Sequence, residues 1–179
     1  MRIAPRASLR LIRVRTRPGA RTAGIVLAGA LAVPAMLGRS GVRANKREGD
    51  GSTPRGRFRC KRLWWRADRA LRPCCRLPLR RIEPDIAWCE DPADRRYNRP
   101  FRRSAEQPGD RLWRDDHLYD FVVEIDHNTR PRVAGRGSAV FVHLMRPART
   151  PTAGCIALAR PVLLRLLGQI GPKTRIEIC

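Results

Sequence analysis

The sequence predicts a mostly β domain with one helix close to its carboxyl terminus. Three observations carry that reading. Fifteen prolines and fourteen glycines are spread along the chain, a pattern of many turns between short strands. Runs rich in strand-forming residues recur at 58–65, 119–126 and 138–144. Only residues 160–170 show helical spacing, with Val162, Leu163, Leu166, Leu167 and Ile170 on one face.

The first 21 residues hold many arginines and no acid, with Leu9, Ile12 and Val14 among them in a strand-like run. Residues 23–37 are continuously apolar. A basic stretch followed by such a run is also the pattern of a secretory signal. It is too short and too glycine-broken for a transmembrane helix. The length of the basic region and Pro34 favour a hairpin instead. In that reading residues 25–27 and 31–33 are strands joined by Ala28, Gly29 and Ala30, and Pro34 sits at a sheet edge. The chain divides into a basic segment, residues 1–22 (a first strand or part of a signal), and a domain over 23–179.

Residues 38–57 form a glycine-rich loop containing Gly49, Asp50, Gly51, Thr53 and Pro54. A strand with aromatic weight follows at 58–65, where Trp64 and Trp65 read as core. Residues 66–111 carry six prolines and read as irregular, a functional or mobile excursion. Order returns with a strand at 119–126, a turn at 127–131 and a strand at 138–144. The period of two places Ala139, Phe141 and His143 on one face of that strand. Pro161 suits the first turn of the helix, Gly171 and Pro172 stop it, and residues 174–178 close the domain as a strand.

A net charge of +22 and a pI near 11.6 suggest attraction to a polyanion. Specific nucleic-acid binding is not indicated. Lysine occurs only at 46, 61 and 173, arginine is scattered, and no zinc spacing, base-stacking signature or helix-turn-helix pattern accompanies it. A solvated arginine-rich surface is the simpler reading, with an anionic envelope surface as a possible partner. The six cysteines (60, 74, 75, 89, 155 and 179) contain no C-x-x-C pair. Most read as small buried apolar residues rather than a disulfide framework. His127 reads as turn scaffolding. His117 beside Asp115 and Asp116 is poor ligand spacing, so no metal site is expected.

The residues that carry chemistry are His143 and Cys155. His143 ends a strand, which positions it rigidly. Eleven residues separate it from Cys155, with Pro147 and Pro151 as turn formers and Thr152-Ala153-Gly154 directly before the cysteine. Such a loop can double back and bring thiol to imidazole. A free thiol with a pKa of about 8.5 is only a few per cent ionised at neutral pH, so a neighbouring base is needed. Backbone N–H groups around Gly154 and Cys155 would face a tetrahedral oxyanion, where one donor is typically worth about 2.7–4 kcal/mol.

Thr152-x-Gly154-Cys155-Ile156 after a strand-terminal His143 resembles the active-site signature of the L,D-transpeptidase (YkuD-like) family. The upstream Lys46-x-x-Gly49-Asp50-Gly51-x-Thr53-Pro54-x-Gly56-x-Phe58 is similar to that family's glycine and Thr-Pro segment. Asp126-His127-Asn128, Gly137-Ser138-Ala139 and the closing strand fall in the family's order. The resemblance runs from about residue 25 to the end and is closest to compact proteobacterial members. It implies a β-sandwich or barrel-like domain in the cell envelope, or periplasm, that acts as a monomer on peptidoglycan stem peptides without metal or organic cofactor. Cys155 would attack the carbonyl that precedes D-Ala, and His143 would protonate the leaving amine. Leu144 would orient the imidazole through its carbonyl. Thr152, Ala153 and Gly154 would position the nucleophile and oxyanion. An L,D-carboxypeptidase outcome, with water as acceptor, is also implied.

Two positions depart from the family pattern. Ala153 stands where a histidine is common, and Ala157 where an arginine holds the substrate carboxylate. Arg146 or Arg160 are the candidates to replace that arginine. The rival reading is a basic, non-catalytic module of the same fold that holds an anionic envelope polymer.

Overall fold

The computed structural model describes residues 8–104 and 106–179. Residues 1–7 of the basic segment lie outside them. The amino-terminal half contains β1 (Leu11–Arg17), β2 (Ala20–Ala28), β3 (Leu31–Met36), β4 (Val42–Arg43), β5 (Thr53–Pro54) and β6 (Gly56–Trp65). Next come β7 (Leu79–Arg81), β8 (Ile86–Trp88), β9 (Pro100–Arg102) and β10 (Asp110–Arg111). The chain ends with β11 (Phe121–Ile125), β12 (Phe141–Leu144), β13 (Ile156–Leu158), α1 (Arg160–Leu167) and β14 (Arg175–Ile178).

The main sheet runs β11-β12-β13-β3-β2-β1-β14-β6-β7, and β6 also pairs with β11. That extra pairing closes the sheet into a barrel, so the mostly β expectation holds. β1 pairs in parallel with β14, and β2 and β3 form an antiparallel hairpin around Gly29. The apolar run 23–37 therefore lies within the barrel wall. Its third strand tolerates Pro34 because β13 meets β3 only at Met36, leaving no ladder bond for Pro34 to break.

Alternation of side chains builds two cores. Ile12, Val14, Val123 and Ile176 point into the barrel, where Leu163, Leu166 and Leu167 of α1 plug one end. Trp65 joins this interior. Trp64, Val122 and Phe141, one residue out of phase with their inward neighbours, point outward into a second cluster. The 66–111 excursion and the residues that follow it cover that cluster with Ile82, Trp88, Leu112 and Tyr119.

Three sequence expectations are corrected. The excursion is not wholly irregular: it adds β7 to the main sheet and forms a small sheet in the order β10-β8-β9. The strand expected at 138–144 begins only at Phe141, because Ala139 has φ +50 and breaks the extended run. The helix ends at Leu167 rather than 170, where Gly168 takes the cap position.

Candidate active site

β12 and β13 run parallel, with His143 opposite Ala157. Parallel neighbours require a crossover. Here the 145–155 loop supplies it, and Cys155 lands immediately before β13. The loop is pinned to the end of β3: the Thr152 N–H donates to Leu37 O at 2.9 Å, and Arg39 N–H donates to Thr152 O at 2.9 Å. Thr152 also shapes the turn from within. Its hydroxyl donates to Cys155 O at 2.7 Å and accepts from Gly154 N–H at 3.1 Å.

Gly154 is dictated by space as well as by conformation. Its φ is +147, and a Cβ there would lie 2.8 Å from Ser52 O. Ser52 belongs to a loop organised by Asp50. That carboxylate accepts from Lys46 Nζ (2.7 Å), Arg47 N–H (2.8 Å), and Ser52 N–H (2.8 Å) and Oγ (2.7 Å). Burial works against the Asp50 charge, but these donors prevail and hold its pKa well below the usual carboxylate range. Lys46 is thereby fixed, buried, beside Gly154. Gly137 leaves room for it, since a Cβ at that position would meet Lys46 Cγ at 2.8 Å.

A cleft of about 370 Å³ opens between this loop, the 145–155 crossover and the excursion. Cys155 and His143 both line it, and each is more than nine-tenths buried. The Cys155 thiol donates to Ala139 O at 3.1 Å and accepts from Phe141 N–H at 3.3 Å. His143 Nδ1 donates to Leu144 O at 2.8 Å, which leaves Nε2 as the basic nitrogen. The Tyr119 ring stands edge-on to the imidazole at 5.2 Å.

Burial dominates the electrostatics of both groups. It pushes the Cys155 thiol up to about 12, opposed by the Phe141 N–H and Lys46 and reinforced by Asp110 and Glu90. It pushes the His143 imidazole down to about 4, against the Leu144 carbonyl. Both shifts favour a neutral thiol beside a neutral imidazole at neutral pH.

The other expected site residues fall in different places. Arg146 lines the cleft and is half exposed, with a loose ion pair to Asp116 at 3.6 Å. Arg160 does not line it: its guanidinium donates to buried Asp120 at 2.8 Å. Burial raises the Asp120 pKa, but Arg160, His117 and Arg69 outweigh that and hold it low. His117 is committed there, and His127 Nε2 donates to Arg136 O at 3.0 Å. Among the described residues no cluster of His, Cys, Asp or Glu is arranged to hold a metal. Gly154 N–H, expected at the oxyanion, is occupied by Thr152. Ala153 sits exposed at the mouth, and Ala157 lines the floor.

The L,D-transpeptidase catalytic domain family, YkuD, matches residues 21–178. The chain belongs to that family. Its members carry out L,D-transpeptidase-type modification of peptidoglycan in the cell envelope. No curated protein and no solved structure matched the chain.

Within this YkuD domain, sequence reasoning missed several contributors. Asn98 sits in the excursion with φ +54. Its Oδ1 accepts from Trp88 Nε1–H at 2.9 Å and from Ala139 N–H at 3.2 Å. Its amide donates to His127 O (3.0 Å) and Asn128 O (2.9 Å). Asn98 thereby fixes the residue whose carbonyl holds the thiol. Nothing local marked it, because its partners other than Trp88 lie about 30 or 41 residues away. Lys46 was visible only as part of the Gly/Thr-Pro segment.

Proposed function

We propose that the chain is a cysteine acyltransferase acting on peptidoglycan stem peptides, with Cys155 as nucleophile and His143 as base. The observation that carries this reading is that both side chains open onto one cleft while Leu144 fixes the imidazole tautomer. Substrate entry displaces water from the cleft. The thiol gives up its bond to Ala139 O and passes its proton to His143 Nε2. Sulfur attacks the carbonyl carbon that precedes D-Ala. The oxyanion takes the Cys155 N–H, and Lys46 supplies positive charge close by. Collapse breaks the C–N bond, and the leaving amine takes the proton from His143. An amine of a second stem, or water, then attacks the thioester. It gives a proton to His143, which returns it to the departing thiolate.

Arg146, at the mouth, takes the donor's carboxylate in place of the arginine that Ala157 lacks. The enzyme works as a monomer in the envelope without metal or cofactor, and residues 11–36 serve as barrel strands rather than a removable leader.

A carbapenem tests the reading. It is expected to add one covalent mass to the protein, mapped to Cys155 and lost in Cys155→Ala. Peptidoglycan digests are expected to gain 3-3 cross-links or tripeptides. No adduct, together with polymer affinity that survives Cys155→Ala, would establish the binding-module reading instead.

A further inference from the structure

The cleft is lined by charges of both signs: Arg39, Lys46, Arg114 and Arg146 on the one hand, Glu48, Glu90 and Asp110 on the other. The chain holds 38 Lys and Arg against 16 acids, so cations are plentiful. Yet among the described residues neither Glu48 nor Glu90 has an ion-pair partner. Glu48 accepts from the Tyr97 hydroxyl, and Asp110 accepts from Tyr119 at 2.8 Å with Arg114 at 3.7 Å. Burial first, and then Asp110 and Glu48, both of its own sign, push the Glu90 carboxyl up to about 7, which a neighbouring cation would reverse. Acids gathered in a cleft, of which only Asp110 has a cation near it, favour a cationic guest.

A separate observation points the same way. Ser138 lines the cleft and is 7% exposed, and its hydroxyl has no hydrogen-bond partner. It lies near the Tyr97 hydroxyl without meeting hydrogen-bond geometry. Buried hydroxyls are normally satisfied, and an orphan beside a cavity marks where a ligand donor belongs. A primary ammonium offers three donors from one compact charge, enough for two carboxylates and a hydroxyl.

We propose that Glu48, Glu90, Asp110 and Ser138 form an ammonium subsite that seats the acceptor amine of the second stem. This rests on the reading of Cys155 as the acylated residue. Arg146 takes the donor's carboxylate, which leaves the acids to the acceptor. The bound ammonium releases one proton to solvent and the free amine attacks the thioester carbonyl. A second proton passes through His143 to the Cys155 thiolate as the C–S bond breaks.

The test uses the full chain with a stem tetrapeptide donor and two acceptors, glycinamide (an ammonium at neutral pH) and hydroxylamine (neutral). Amide and hydroxamate products are quantified by mass. In Glu90→Gln, a near-isosteric change at the solvent-facing rim, the KM for glycinamide is expected to rise about tenfold. The KM for hydroxylamine should move less than twofold. Ser138→Ala should show the same split more weakly. Equal shifts for both acceptors, or none, overturn the subsite. Failure of the wild-type protein to release D-Ala or to form a carbapenem adduct instead overturns the enzymatic reading on which it rests.

Discussion

Alkylation of Cys155 by iodoacetamide across a pH range reads the resting state of the cleft directly. Burial raises the thiol from 9.0 to about 12. At pH 7 a thiol of pKa 9.0 is about 1% ionised, whereas one at 12 is ionised at about 1 part in 100,000. Ionisation alone slows the reaction roughly 1,000-fold. The more basic thiolate is a better nucleophile, and a Brønsted slope of 0.4–0.5 over three units returns about 15–30-fold. The net expectation is labelling about 50-fold slower than an ordinary thiol. Peptide-resolved mass spectrometry provides exposed Cys74 and Cys179 as references in the same chain. The slope matters more than the rate, because access to the cleft scales the rate alike at every pH. Cys155 labelling should rise about tenfold per pH unit from 7 to 10 with no plateau. A plateau below pH 8 would mean a preformed thiolate–imidazolium pair, and the neutral-pair reasoning would be wrong.

Three further outcomes follow from single side chains. His143 has a folded pKa of about 4 against 6.5 unfolded, so the unfolded state binds the extra proton in between. Stability present above pH 6.5 is lost toward pH 4, by about 2–3 kcal/mol at pH 4.5. Urea titrations at pH 7 and 4.5 should show a shallower loss in His143→Gln, and an equal loss refutes the assignment. Gly154→Ala puts a Cβ 2.8 Å from Ser52 O at φ +147. It should cost about 1–3 kcal/mol in thermal unfolding and slow carbapenem acylation at least about tenfold, and normal acylation would show that the loop has slack. Asn98→Ala orphans the Trp88 and Ala139 N–H groups, each worth about 1–3 kcal/mol. Asn98→Asp keeps the acceptor oxygen and should recover part of both stability and Cys155 acylation. No recovery would mean that the amide's donors to residues 127 and 128 dominate.

What the sequence made legible was local. The apolar face of α1 and the shared face of Phe141 and His143 follow from spacing alone, because each is set within one element. The closure of the barrel was not legible. It depends on β6 pairing with both β14 and β11, strands far from it in the sequence. The same limit hid the walls of the cleft. Glu90 and Asp110 come from a proline-rich excursion whose small sheet has strands of only two or three residues, too short to show a period. Arg160 was misplaced for a related reason. It lies five residues beyond Cys155, but β13 and the start of α1 carry its side chain to buried Asp120 instead of the cleft.

The charge around Cys155 links the two halves of the proposed reaction. Lys46 draws the thiol pKa down, while Asp110 and Glu90 push it up. An ammonium seated against those two acids would cancel their opposition without touching Lys46. The sulfur then becomes a better leaving group at the moment an acceptor is present, and stays a poor one while the acceptor site is empty. Removing one acid should mimic part of that effect with no amine added. Glu90→Gln is therefore expected to move the Cys155 alkylation profile to lower pH, raising the rate at pH 8 by severalfold relative to Cys74. An unmoved profile would show that Glu90 is too well screened at the cleft rim to act on the sulfur, and the coupling would then rest on Asp110 alone.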